Sequence, residues 1–263
     1  MLRGIQFTHI SSPPKSGVMR RVIKSAIIAS LMGLGAVPAM AQGASTVTWD
    51  PVYSASCRDC KLTGMRLAGW RLDGGNYPGA DFSSADMRGV FARNTVFSSA
   101  RAKNVNLIGA TLDGAHFDKA TLDGARLNRA SGTGADFSGS TMAGVILNEA
   151  SFVSGLFDQT DMTGVTAVGT VFAAASLRGA ILVDANLSGA NFDGANLSDA
   201  KLSRSNLAGA SFLDAQLGGA DLTEVKQFDP ARFKGACATP TTRLPAGLML
   251  ETCAITQITA SLE

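Results

Sequence analysis

The chain has 263 residues, of which 46% are hydrophobic and 6% aromatic, and its formal net charge is +2 at pH 7. Five of its 23 Lys and Arg residues precede position 42, so the remainder carries 18 Lys and Arg against 21 Asp and Glu. A balance this close to neutral gives no electrostatic basis for binding nucleic acid, and we therefore predict no nucleic-acid partner.

The first predicted element is a secretory signal peptide over residues 1–41. Arg20, Arg21 and Lys24 precede an apolar or small run over residues 25–37, and Ala39-Met40-Ala41 fits the small-x-small cleavage rule. This run of about 13 residues is too short to cross a bilayer, which takes about 20. Gln42, and not a cysteine, directly follows the cleavage site, so we predict no stable membrane anchor and a periplasmic or secreted mature protein that begins at Gln42.

An internal methionine, Met19, stands immediately before the arginine pair. Translation from Met19 is therefore an alternative, in which residues 1–18 are a start-site extension. The arginine pair also leaves the choice between the general secretory route and twin-arginine export open.

The next predicted element is a five-residue repeat whose register does not slip from Leu62 to Leu222. The central residue of the unit is Leu, Phe or Met at 28 of 33 positions, and the residue two places earlier is Ala at 19 of them. Because apolar residues at a strict five-residue spacing would be smeared around a helix, this pattern excludes an amphipathic helix. A fixed period of this kind indicates a repeat architecture.

Within one unit the pattern is small-in, polar-out and large-in, followed by two residues that favour a turn. A roughly right-angled turn in each unit closes a coil after four units. When residues 20 apart are aligned, two columns become aromatic: Phe97, Phe117, Phe137 and Phe157, and then Phe152, Phe172, Phe192 and Phe212. These columns support a four-sided coil and a rod of about eight coils, with successive coils about 4.8 Å apart.

The unit resembles the Ala-(Asp/Asn)-Leu-X-X motif of the pentapeptide-repeat family, as in Ala190-Asn191-Phe192-Asp193-Gly194. The resemblance covers residues 62–225 and implies an all-β fold, the right-handed quadrilateral parallel β-helix. The chain departs from the motif where the central residue is too small to fill the interior, at Ala92, Ala102, Gly132 and Ala167. Because Ala92 and Ala102 fall in one coil, we expect a locally under-packed segment there.

Both ends of a solenoid need covering, since a bare terminal coil exposes apolar surface and unpaired strand edges. We assign residues 42–61 to an N-terminal cap that includes Trp49, Val52 and Tyr53. Residues 226–263 form an irregular C-terminal cap. The apolar residues of that tail that can cover the last coil are Phe228, Phe233, Leu244, Leu248 and Leu250.

The four cysteines lie near these ends, and an even count in an exported protein indicates disulfides. We favour the pairs Cys57–Cys60 and Cys237–Cys253 among the three connectivities that four cysteines allow. A redox-active Cys57–Cys60 pair is the alternative, but no thioredoxin-like pattern surrounds it.

The outward positions contain no recognisable catalytic constellation, so the sequence predicts no enzyme, no cofactor and no metal site. His116 is expected beside Asp136 in the next coil, where we interpret the two as a solvated surface pair. The aspartates at 113, 118 and 123 fall on three different sides and are interpreted as turn formers. Outward apolar residues supply the one positive indication of recognition, since Ile108, Ile146 and Val168 project from one side and form a candidate protein-contact patch.

The sequence therefore favours a non-catalytic, exported solenoid that acts as a protein-binding or structural scaffold in the cell envelope, with an unknown protein partner. The family resemblance implies one alternative, because some of its members shield DNA gyrase by imitating the shape and negative charge of duplex DNA. That role calls for an acidic cytoplasmic rod, whereas this chain carries an export signal and is only mildly acidic.

Overall fold

A computed structural model describes residues 56–253 of the chain. The predicted signal peptide, the cleavage site, and the residues Trp49, Val52 and Tyr53 of the N-terminal cap lie outside the described residues. Among residues 56–253 no helix has the length and apolar character needed to cross a membrane.

The chain winds into a coil of 20 residues with four sides. Each five-residue unit contributes one parallel bridge to the residue 20 positions later, from Ser56 with Asn76 to Asn206 with Lys226. The right-handed quadrilateral β-helix predicted from the sequence is confirmed. The bridges begin at Ser56, ahead of Leu62, because Cys57 occupies a central inward position and Cys60 a small inward position of the same repeat.

The corner of each unit is a two-residue turn whose second residue has a positive φ, in every unit from Asp59 to Glu224. Glycine adopts this conformation without a steric penalty. Gly134, with φ of 64°, is one example, whereas Ala174 adopts φ of 56° at the equivalent position of a later coil. The corners therefore keep one geometry whether or not glycine is present.

Large side chains fill the interior of the rod in stacked columns. The predicted aromatic column over Phe97, Phe117, Phe137 and Phe157 is confirmed, with ring centroids 4.6 to 5.1 Å apart. The second predicted column, from Phe152 to Phe212, is also confirmed, with centroids 4.9 to 6.3 Å apart. Stacked rings at these separations add to the stabilisation that comes from burial.

The structure joins and extends the two columns. Phe152 contacts Phe137 and Phe157 edge to face, each at 5.5 Å, so one aromatic spine crosses from one corner of the interior to the next. Tyr77 continues the spine at one end and Phe233 continues it at the other.

The coil that contains Ala92 borders a cluster of large rings. Tyr77, Phe82 and Phe97 contact one another with centroids 5.4 to 5.8 Å apart. Ala92 and Ala102 are fully buried beside this cluster. The expected under-packing around the two alanines stays a prediction.

At the first described coil, larger apolar residues replace alanine. Met65 and Trp70 stand at the small inward position of their units and pack, partly buried, against the core. The corresponding residues of the next coil, Ala85 and Val90, are fully buried. The first described coil therefore has larger apolar side chains at these inward positions than the coil after it.

The last coil is covered by a short, irregular cap. It contains a 3-10 helix over Pro230–Phe233 and two short parallel strands, β1 (Cys237–Ala238) and β2 (Glu251–Thr252). Phe233 and Leu248 are buried in it. Phe233 stacks on Phe212 with ring centroids 4.6 Å apart, so the cap extends the aromatic spine beyond the last regular unit.

Backbone pairing continues from the coils into the cap. Gln216 bridges Cys237, and Asp221 bridges Arg243. The Thr242 hydroxyl donates to the Leu217 carbonyl at 2.9 Å and accepts the Gly219 N–H at 3.0 Å. These contacts satisfy polar groups that would otherwise end the coil unpaired.

Candidate functional site

Several outward polar residues have a structural role at the coil corners. Asp81, Asp161 and Asn191 each accept a hydrogen bond from the backbone N–H two residues later, at 2.7 to 3.0 Å. The carboxylates of Asp113 and Asp123 accept from the backbone N–H of residues in the next coil. Both aspartates thus hold corners in place, as the sequence predicted.

Ion pairs connect neighbouring coils along the surface. In two of these pairs the partners are 20 residues apart in the sequence. Nε of Arg129 is 2.7 Å from Oε2 of Glu149, and Nη2 of Arg204 is 2.7 Å from Oδ2 of Asp184. Hydrogen bonding to the Arg129 guanidinium holds the pKa of Glu149 below its usual value. Because these side chains are largely exposed, each pair contributes little to stability.

Charge is unevenly distributed along the rod. Residues 56–105 contain eight Lys and Arg against four Asp and Glu, whereas residues 106–226 contain seven against thirteen. In the first coil each of the four sides carries an exposed cation, namely Arg58, Lys61, Arg66 and Arg71. Whole-chain composition conceals this polarity, because the net charges of the two segments, +4 and −6, largely cancel.

The candidate patch residues Ile108, Ile146 and Val168 lie on one side of the rod. Ile108 and Val168 occupy the same corner column, three coils apart, with Asn128 and Asn148 between them. Ile146 lies in the adjacent bridge column, between Arg126 and Thr166. Val168 is 37% exposed, and the two isoleucines are half-buried. The structure therefore gives an apolar stripe interrupted by amides.

The largest exposed apolar side chains elsewhere among residues 56–253 do not join this stripe. Leu156 is 42% exposed and Leu213 36% exposed, on two other sides, while Met249 projects from the cap. Each is separated from the others by polar residues, which is normal for a protein surface.

His116 and Asp136 are bridge partners in adjacent coils, as the sequence predicted. The structure adds Asp118 to them. One ligand atom from each of the three residues lies within 4.8 Å of the other two, with His116 exposed and both aspartates half-buried. Sequence reasoning treated Asp118 as a turn former alone, although a residue two places after His116 in the same unit must share its side of the coil.

The four cysteines lie in the two pairs that the sequence favoured. The Cα atoms of Cys57 and Cys60 are 5.7 Å apart, and those of Cys237 and Cys253 are 4.6 Å apart. Both separations fall in the range that a disulfide spans. The second pair places the first residue of β1 beside the residue that follows β2.

The repeat region matches a known protein family. The family model described as pentapeptide repeats (8 copies) matches four segments of the chain, residues 79–114, 110–149, 156–194 and 190–226. The chain belongs to the pentapeptide-repeat family.

Solved structures of other pentapeptide-repeat proteins align with most of this chain. A trypsin-treated form of QnrB1, a plasmid-mediated fluoroquinolone resistance protein, is 22% identical, covers 70% of this chain and 89% of its own, and has a TM-score of 0.47. HetL of Nostoc sp. strain PCC 7120, involved in heterocyst differentiation regulation, is 26% identical over 70% and 90%, with a TM-score of 0.27.

Rfr23 of Cyanothece 51142 is 20% identical over 72% of this chain and 90% of its own, with a TM-score of 0.20. No curated protein sequence matches the chain. The comparisons thus establish family membership without pointing to a particular partner or process.

Proposed function

We propose that this pentapeptide-repeat protein is exported and acts as a non-catalytic scaffold in the cell envelope, where one side of the rod binds another protein. The observation that supports the proposal most directly is the apolar stripe formed by Ile108, Ile146 and Val168. A contact surface of this kind needs a rigid support, and the continuous bridges and aromatic spine provide one.

The charge distribution argues against the alternative of a DNA mimic. Such a protein presents continuous negative charge, whereas residues 56–105 carry twice as many cations as anions. The cationic first coil interrupts any negative surface that the later coils provide. A scaffold for a protein partner has no such requirement for uniform charge.

Export is tested by fractionating the native host and sequencing the N-terminus of the mature chain. We expect a periplasmic or secreted form that begins at Gln42. Uncleaved protein in the cytoplasm would contradict the export part of the proposal.

Binding is tested by placing a photo-crosslinking amino acid at Ser188 or, as the matched control, at Ser198. The two serines lie on opposite sides of the rod and make the same 2.7 Å hydrogen bond, to Asn186 and Asn196 respectively. Ser188 is in the corner column of Val168, so we expect cross-linked protein from Ser188 and much less from Ser198.

The double variant Ile108→Asp/Ile146→Asp should remove the cross-links from Ser188, whereas Ile181→Asp on another side should preserve them. Equal cross-linking from both serines, or cross-linking that survives the double variant, would rule out this surface.

A further inference from the structure

We infer that His116, Asp118 and Asp136 form a binding site for a divalent transition-metal ion on the outside of the β-helix. The inference is independent of the proposed scaffold function and departs from the sequence prediction of no metal site. It rests on the meeting of one imidazole and two carboxylates from adjacent coils, with their ligand atoms within 4.8 Å of one another.

The donor set fits such an ion. Imidazole nitrogen is a good ligand for Zn²⁺, Ni²⁺ and Cu²⁺, carboxylate oxygen also binds Zn²⁺, and a site with three protein ligands leaves a further position to water. Ca²⁺ and Mg²⁺ prefer oxygen ligands throughout. The presence of His116 therefore favours a transition metal over either of these ions.

The fold holds the three side chains on rigid backbone. His116 and Asp136 occupy neighbouring positions of one column of parallel bridges, so the backbone spacing between them is fixed. Asp118 follows His116 at the corner of the same unit. A metal ion would bind without ordering a loop, which removes one of the usual entropic costs of binding.

Neighbouring polar groups orient both carboxylates. The Ser98 hydroxyl donates to Oδ1 of Asp118 at 2.5 Å, and the Ser138 N–H donates to Oδ1 of Asp136 at 2.8 Å. Such bonds fix the direction of the ligating carboxylates and leave the second oxygen of each available.

The two carboxylates are also uncompensated. Among residues 56–253, neither Asp118 nor Asp136 lies within ion-pair distance of a Lys or Arg, unlike Asp81, Glu149 and Asp184, each of which has an arginine partner. Two half-buried carboxylates without a cation attract one from solution. In the same bridge column, Val96 precedes His116 and Leu156 follows Asp136, so the cluster is bordered by apolar residues at both ends.

The test is titration of the full chain, purified without a histidine tag, with Zn²⁺ and separately with Ca²⁺ by isothermal calorimetry. We expect one Zn²⁺ per chain and at least tenfold weaker binding of Ca²⁺. The variants His116→Asn and Asp136→Asn should each weaken Zn²⁺ binding at least tenfold. The control Asp158→Asn alters the next aspartate in the corner column of Asp118 and should bind Zn²⁺ as the original chain does.

A second measurement uses Co²⁺ as the probe. We expect visible absorption bands of a nitrogen- and oxygen-ligated Co²⁺ that disappear in His116→Asn, while circular dichroism shows that the variant retains its fold. Absence of stoichiometric Zn²⁺ binding would overturn the inference, and so would binding that persists undiminished in His116→Asn.

Discussion

The Phe152 ring lies directly over Gly132, so that a Cβ atom added to Gly132 would be 2.7 Å from both Cδ1 and Cε1 of that ring. Gly132 is the smallest of the central residues that the repeat pattern places inside the rod. Phe152 begins the second aromatic column one coil later. The glycine therefore makes room for the ring at which the aromatic spine changes corner.

Replacing Gly132 with alanine should lower the free energy of unfolding by about 1–3 kcal/mol, because the added carbon cannot fit beside a ring held on both sides. Chemical denaturation of Gly132→Ala, Phe152→Leu and the double variant measures the coupling between them. We expect the double variant to be more stable than the two single effects would give if added. Strict additivity would mean that the ring and the glycine do not share the space.

Tyr77 starts the aromatic spine with a hydroxyl that is buried and has no hydrogen-bond partner within the described chain. Burial raises the pKa of this phenol to about 12. Because an unpaired buried hydroxyl costs about 1–3 kcal/mol, Tyr77→Phe should raise the free energy of unfolding by about 1 kcal/mol. When the ionisation of tyrosine is followed by ultraviolet absorbance as the pH is raised, Tyr77→Phe should also remove the step at the highest pH.

The converse change at the next position of the column is the matched control. Phe97→Tyr places a second hydroxyl in the same interior and should destabilise the protein. If Tyr77→Phe instead destabilises it, the hydroxyl has a partner, such as an internal water.

The backbone of Ala174 is strained at its corner, because its φ of 56° lies in the left-handed region that favours glycine. Ala174→Gly should therefore raise the free energy of unfolding by about 0.5–1 kcal/mol. The preceding residue offers a control, because Ala173 stands in the same turn without a positive φ. We expect Ala173→Gly to lower stability by a similar amount in thermal denaturation, and a loss from both substitutions would contradict the explanation.

The cysteine pair of the cap should stabilise the protein more than the pair in the first coil. Cys237 and Cys253 are 16 residues apart, a loop for which a disulfide contributes about 3 kcal/mol, whereas Cys57 and Cys60 are only three apart. Adding reductant should lower the midpoint of thermal unfolding of the original chain markedly. It should have a much smaller effect on the variant Cys237→Ala/Cys253→Ala.

The variant Cys57→Ala/Cys60→Ala keeps the cap pair and should retain most of the response to reductant. A midpoint that reductant leaves unchanged in the original chain would mean that the cysteines are thiols.

The coils were predictable because their signal is periodic. Each Phe of a column stands 20 residues from the next, so the coil length and the stacked rings follow from counting. The contact between Gly132 and Phe152 was not predictable in this way. It depends on which of several neighbouring side chains fills a gap, and composition within one unit does not decide that.

The surface was harder to predict than the core, for a physical reason. Inward positions accept few side chains, whereas outward positions accept many, so an outward residue carries little information by itself. His116 was expected beside Asp136, and Asp118 was explicable as a turn former, so only the approach of Asp118 to the other two indicates a ligand site. The path of the cap was also not predictable, because residues 226–253 have no period.

The 20-residue closure of the coil makes the length of this rod a discrete quantity. Deleting residues 181–200 would shorten the rod by one coil. The residues on either side of the deletion would still fall in the same bridge columns. Deleting only residues 196–200 would keep every corner locally intact but rotate the cap by a quarter turn relative to the first coil. A change of five residues thus rotates the surfaces at the two ends of the rod relative to each other. A change of twenty residues alters only the distance between them.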